Sequence, residues 1–231
     1  MLGRPGAYPG SGPRLPSGVA LFRDRLQAGE ELAKALERYA GRPGLIVLGL
    51  PRGGVPVARV VADVLGAPLD VLVVRKLGVP GHEELAMGAI ASGGGIVINH
   101  EIVDRLGVSG ERVQAVIARE LEELARRESA YRGAAPPLDL TGKTALLVDD
   151  GIATGATVAA AVQATRSAGA RRVVVAAPVG APDSVAGLRE VADDVVCPHT
   201  PSGFGSVGEW YVTFGQTGDD EVRALLSGGA G

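Results

Sequence analysis

Apolar residues in this chain gather into short unbroken runs separated by stretches in which they recur every third or fourth position. The runs are residues 45–50 (LIVLGL), 69–74 (LDVLVV), 144–148 (TALLV), 172–177 (RVVVAA) and 194–197 (DVVC). Each is too short for a stable helix and rich in β-formers, so each predicts a strand, the longer ones buried on both faces. Helical spacing fills the gaps. Asp24 is placed to cap a helix reaching Ala40, with Leu26, Ala33, Leu36 and Tyr39 or Ala40 on its buried side. A second helix carries Val57, Val60, Val61, Val64 and Leu65. The longest covers residues 109–132, with Val113, Val116 or Ile117, Glu120 or Leu121 and Leu124 on one face and Glu and Arg opposite. A fourth begins near Thr157, and a fifth spans 182–191 with Pro182 in its first turn. Strands alternating with helices predict the α/β class: an open, mainly parallel twisted sheet flanked by helices.

Composition agrees with that layout. The chain has 231 residues, 46% hydrophobic but only 3% aromatic, which suits parallel strands under closely packed helices. A single domain of this length buries roughly 70% of its unfolded surface without staples. Its expected extent is 19–231, with a core of about 45–197, after a Gly- and Pro-dense leader over 1–18 expected to be disordered. Residues 77–95 hold Gly78, Pro80, Gly81, Gly88 and Gly93 to Gly95 with little periodicity, and predict a flexible flap with a short hairpin through 87–91 and 96–99. His82, Glu83 and Glu84 on it match no metal spacing and are expected to face solvent. Residues 198–216 gather Phe204, Trp210, Tyr211 and Phe214 on a glycine-rich loop and a strand, a small hood. A net charge of −3 offers no global field for nucleic acid. The single Cys197 allows neither an internal disulfide nor a multi-cysteine metal site, and no apolar run approaches a membrane span of roughly 18 residues. The expected location is cytoplasmic, with no membrane partner.

Chemistry concentrates after the run 144–148. Asp149 and Asp150 close the strand, Gly151 turns the chain, and Ala153, Thr154, Gly155, Ala156 and Thr157 lead into a helix. Backbone N–H groups, two hydroxyls and the positive end of a helix suit a phosphate monoester, and the acid pair suits sugar hydroxyls or a magnesium ion. A ligand carrying both polarities is a sugar phosphate. A second strand–turn–helix unit repeats the theme at Pro51, Arg52, Gly53 and Gly54, where adjacent glycines let the backbone approach a ligand and Arg52 offers a planar fork to phosphate oxygens. Arg75 and Lys76 end the run 69–74, at the strand edge where open α/β sheets bind ligands.

The segment VDDGIATGAT (148–157) resembles the phosphoribosyl-pyrophosphate (PRPP) motif of the type I phosphoribosyltransferases, and LPRGG (50–54) resembles their pyrophosphate loop, in the same chain order. The resemblance covers most of 45–214. It implies transfer of a 5-phosphoribosyl group from PRPP to a small nitrogenous acceptor, with Mg2+ as cofactor, in nucleotide metabolism. PRPP would be held by Asp149, Asp150, Gly151, Ala153, Thr154, Gly155, Ala156 and Thr157, with both aspartates also bearing on the metal. The pyrophosphate would lie on Arg52, Gly53, Gly54, Arg75 and Lys76. Asp149, Asp150, Arg52 and Lys76 would be catalytic, Glu84 is a candidate general base, residues 77–95 would close over the reacting centre, and Phe204 would stack on the acceptor. The resemblance also implies a cis peptide entering Arg52, and a homodimer. Ala156 replaces the commoner second glycine of the motif, and Ala153 stands where the hypoxanthine–guanine enzymes have an acid. A regulator that binds PRPP or a nucleotide without turnover is the alternative of a different class.

Three look-alikes fail on context. Thr141-Gly142-Lys143-Thr144 precedes a strand where a P-loop follows one, and Gly203, Gly205 and Gly208 precede a strand pattern where a dinucleotide fingerprint requires a helix. Cys197 and His199 are too isolated for a nucleophile with its base.

Overall fold

The computed structural model describes residues 20–133 and 135–228. The leader therefore lies outside the described residues. Helix α1 (Arg25–Ala35) starts where Asp24 accepts a hydrogen bond from the Gln27 N–H, and a 3-10 turn over Glu37–Tyr39 follows. Ala33, Leu36 and Tyr39 are buried as expected, whereas Leu26 is 52% exposed, because the buried stripe of α1 runs through Ala28, Gly29, Leu32 and Ala33 and Leu26 lies at its edge. Strand β1 (Leu45–Gly49) and helix α2 (Gly54–Leu65) come next, then β2 (Leu69–Val71).

Here the structure departs from the sequence pattern. The run 69–74 does not form one strand: β2 stops at Val71, and β3 (Val74–Val79) begins a separate antiparallel sheet with β4 (His82–Ala91) and β5 (Gly95–Ile98). Arg75 and Lys76 accordingly sit inside β3 rather than at the end of a strand of the main sheet. The glycine-rich segment 77–95 forms a hairpin whose strands pair from Val74 with Ala91 to Val79 with His82. Its periodicity is obscured by a register shift at Gly78, and Gly88 lies where a side chain would strike the Val97 carbonyl. His82, Glu83 and Glu84 are exposed, as expected.

Helix α3 (His100–Arg105), which the pattern did not reveal, precedes the long α4 (Gly110–Arg132), capped by Ser109. Strand β6 (Thr144–Val148), helix α5 (Ala156–Ser167), β7 (Arg172–Ala176), α6 (Pro182–Arg189) and β8 (Asp194–Val196) follow in the expected sequence. The hood has a 3-10 turn (Val207–Trp210) instead of a strand, and α7 (Asp219–Leu226) closes the described chain.

The main sheet runs β2-β1-β6-β7-β8, all neighbours parallel. Side chains alternate across it. Ile46, Leu48, Leu147, Val173 and Val175 pack with Val158, Ala161 and Val162 of α5, while Val47, Leu146, Val148 and Val174 pack with Leu32 of α1 and Val57 and Val61 of α2. Helices thus cover both faces, as parallel strands require. The small sheet packs its own core of Leu77, Met87 and Ile90 with Val113, Ile117 and Leu124 of α4 and Val222 of α7. From β1 the chain proceeds to β2 on one side, and from β6 to β7 on the other. Between β1 and β6 the order reverses, and the crevice beyond the carboxyl ends at such a switch point is where open α/β sheets take ligands.

Candidate functional site

The two loops singled out in the sequence leave this switch point side by side. Gly49 and Val148 are paired residues of β1 and β6, and the Leu50 N–H donates to the Val148 carbonyl at 2.9 Å. The bond between Pro51 and Arg52 is cis, as the resemblance implied. Glycine is demanded at the next two positions by contact. A Cβ on Gly54 would lie 2.5 Å from the Val148 carbonyl oxygen, and one on Gly53 would lie 2.0 Å from Asp150 Oδ2. The loop therefore presses onto the acid turn with no side chain between.

The two acids have different surroundings. Asp149 is half-buried, and its Oδ1 accepts from the Asp150 N–H at 2.9 Å. Burial, and after it the Asp150 charge, push the Asp149 carboxyl well above the ordinary 3.8. Asp150 is 9% exposed, and its Oδ2 accepts from Arg25 Nε at 2.9 Å and lies 2.8 Å from Arg25 Nη2. Burial raises its carboxyl while the Arg25 guanidinium opposes the rise. The two acids therefore differ: Asp150 is paired with a cation that sequence spacing gave no reason to connect with it.

Beyond the acids, Gly151 lies under Val207 of the hood, whose methyl a Cβ would meet at 2.5 Å, and Ile152 is bonded to Val179 and Ala181. Ala153, Thr154, Ala156 and Thr157 are exposed, and Gly155 adopts φ +72°, the left-handed turn that aims the chain into α5. The Ala153 carbonyl is tied by the Ser184 hydroxyl at 2.6 Å. The result is a fixed, open helix mouth whose first N–H groups have no intrahelical acceptor, suited to an anion.

The cations are placed less uniformly. Arg52 is part-exposed, 3.7 Å from Asp219 at the start of α7, which also accepts from the Tyr131 hydroxyl at 3.2 Å. Lys76 contacts Glu84, with 3.1 Å to its carbonyl and 3.6 Å to its carboxylate. Arg75, expected on the pyrophosphate, is paired with an acid of the long helix. Its Nε and Nη2 hold Glu120 of α4 at 3.0 and 2.5 Å, clamping the small sheet to that helix. Phe204 is half-buried and stacked on Trp210, centroids 6.1 Å apart at 25°, so one ring face is covered. Trp210 is buried with Phe22 and Tyr211, whereas Phe214 is 39% exposed with the Arg25 guanidinium 4.1 Å from its centroid. The Tyr211 hydroxyl, kept protonated by burial, donates to the Asp150 carbonyl at 2.6 Å. Cys197 plays no part: burial pushes its thiol up to about 12, and His199 pairs with Glu31 at 3.3 Å.

Arg25, Tyr211 and Asp219 are the site neighbours that sequence reasoning did not connect to it. Arg25 stands 125 residues from its partner, and no local pattern marks it.

A parallel sheet whose switch point carries an acid pair, a glycine loop with an arginine and an open helix mouth defines a class of α/β protein that grips an anionic ligand bearing hydroxyls. This chain belongs to the phosphoribosyl transferase family, whose domain model matches residues 21–213. It is 51% identical over 208 residues to two Mycobacterium tuberculosis proteins, of strains CDC 1551 and H37Rv, that carry the provisional name phosphoribosyl transferase; the match takes in 90% of this chain and 47% of each of theirs. The chain thus spans about half the length of the curated relatives it matches. It is also similar to the solved structure of TT1426 from Thermus thermophilus, with 42% identity, TM-score 0.81, and coverage of 91% of this chain and 99% of that one. No helix among the described residues is long and apolar enough to cross a membrane.

Proposed function

We propose that this chain transfers a 5-phosphoribosyl group from PRPP to a nitrogenous, nucleobase-like acceptor and releases pyrophosphate. The observation that carries the reading is the direct apposition of the loop at Arg52–Gly54 with the acid turn, beside an exposed helix mouth. PRPP has a phosphate at each end of a pentose, and this crevice offers an anion cradle on either side of a carboxylate.

In this reading the N–H groups and hydroxyls of Thr154, Gly155, Ala156 and Thr157 hold the 5′-phosphate. Asp149, with Asp150 beside it, meets the ribose hydroxyls. The pyrophosphate rests on Arg52 and the backbone of Gly53 and Gly54, with Lys76 as a further cation, while Arg75 supports the site by holding β3 to α4. As the bond to pyrophosphate lengthens, positive charge grows on the ribose, and a carboxylate already fixed beside it stabilises that charge more than the ground state. Protonation of Asp149 would cancel this, so neutralisation by a bound cation matters. A magnesium ion fits the residues present: Asp149 and the Asp150 oxygen not held by Arg25 are adjacent donors, too few for an all-protein cage, and match an ion that keeps several waters and substrate oxygens. Asp149 and Asp150 would hold it, and when bound it supplies charge neutralisation to the departing pyrophosphate. The hood at 198–216 would receive the acceptor, with Phe204 and the more exposed Phe214 as the rings available to it. The hairpin at 77–95 would shield the centre from water.

Incubating the protein with Mg2+ and PRPP and a panel of nucleobases and amines, and following pyrophosphate, tests the proposal. Acceptor-dependent release supports a transferase; tight PRPP binding with a flat panel would favour a regulator instead.

A further inference from the structure

Arg25 holds two separate parts of the site at once, the acid turn and the end of the hood. Its Nε and Nη2 grip Asp150 Oδ2, its Nη1 donates to the Gly215 carbonyl at 2.7 Å, and its guanidinium covers the Phe214 ring. Nη2 also lies 3.2 Å from the point a Gly53 Cβ would occupy, so the same group borders the pyrophosphate loop. The side chain is 13% exposed. A buried ion pair is weak as a source of stability, because desolvation of both charges offsets their attraction. What such a pair provides is fixed placement.

The placement is specific. The hood is attached to the segment before α1 by backbone bonds from Val212 to Phe22 and from Thr213 to Arg23, both 2.8 Å, and to the acid turn by Tyr211. Arg25 completes a ring of contacts joining α1, the acid turn and the end of the hood. It also distinguishes the two acids: one oxygen of Asp150 accepts from Arg25 Nε and lies 2.8 Å from Nη2, while the partly buried Asp149 is in no ion pair among the described residues.

From this geometry we infer that Arg25 is a positioning residue of the transfer site, anchoring Asp150 and the hood so that Asp149 is the carboxylate presented to the sugar. The inference rests on the transferase reading and assigns unequal roles within its acid pair.

The test is a double-mutant cycle of Arg25→Gln and Asp150→Asn, with Arg25→Lys alongside. Binding of Mg2+–PRPP is measured by calorimetry, and amide exchange in 207–215 by mass spectrometry, at a temperature where every variant is folded. Each single substitution should weaken binding about tenfold, the equivalent of one charge-assisted hydrogen bond, and the double variant no further, because the two groups act as a unit. Exchange should quicken in Arg25→Gln. Arg25→Lys should recover part of the affinity, since the charge remains but the planar fork is lost. Unchanged PRPP affinity in folded Arg25→Gln, or fully additive losses, would overturn the inference. Wild-type protein that fails to bind Mg2+–PRPP would overturn the transferase reading itself, and that result is visible before any variant is compared.

Discussion

Replacing Gly53 by alanine puts the closest approach in the site under direct load. The backbone there is ordinary right-handed helical, φ −62° and ψ −30°, so alanine meets no conformational penalty and only space decides. The added carbon would fall 2.0 Å from Asp150 Oδ2 and 2.8 Å from its Cγ. That oxygen is the one Arg25 holds, and the Asp150 backbone is held by Tyr211, so the carboxylate can yield only by breaking its pair. Overpacking of this kind costs about 1–3 kcal/mol. In a domain of this size each kcal/mol lowers the melting midpoint by roughly 2–4 °C, so a fall of roughly 2–12 °C is expected. Gly187→Ala is the control: Gly187 lies in α6 with nothing within 4 Å of an added Cβ, and alanine there should stabilise by up to about 1 kcal/mol. Calorimetric melting and Mg2+–PRPP titration of both variants supply the comparison. If Gly53→Ala melts with or above the wild type and keeps its PRPP affinity, the apposition of the two loops is wrong.

Asp149→Asn should separate stability from activity. With its folded pKa above the unfolded 3.8, the folded state retains the Asp149 proton longer, so this group's contribution makes stability fall as pH rises from about 4 through the folded pKa. The variant should therefore melt higher than wild type near neutral pH, with the gain fading near pH 4, while transfer falls about 100-fold or more; a lower neutral midpoint would contradict the assignment. Tyr211→Phe removes a buried donor 2.6 Å from the Asp150 carbonyl and should cost about 1–3 kcal/mol in urea unfolding. No loss would show that the hood is not moored there. Arg75→Ala leaves the buried Glu120 carboxylate with Arg119 as its remaining cation, cuts the tie between β3 and α4, and should lower the denaturation midpoint while leaving Mg2+–PRPP affinity within about twofold. A large affinity loss in the folded variant would return Arg75 to the pyrophosphate site.

What the sequence made legible was local. Short β-rich runs and helical stripes marked every strand of the main sheet, because parallel strands buried on both faces need continuous apolar residues. The acid turn and the glycine loop were legible because each packs its chemistry into a few consecutive positions. Missing were features made by distant partners. The run 69–74 reads as one strand, yet Leu72 still donates to Gly49 before the chain turns away into β3, and hydrophobicity does not record a change of sheet. Leu26 and Leu121 fit their helical stripes but are exposed, since the stripe is set by what packs on it. Arg25 with Asp150, and Arg75 with Glu120, are long-range pairs that no spacing announces.

The arrangement of two anion cradles about one partly buried acid is tested most directly by a crystal structure of the protein with Mg2+–PRPP. The expected density places the 5′-phosphate on the backbone of residues 154–157, the ribose hydroxyls at Asp149, and the pyrophosphate against Arg52, Gly53 and Gly54. PRPP bound elsewhere, or lying across the crevice with its 5′-phosphate away from the mouth of α5, would contradict it.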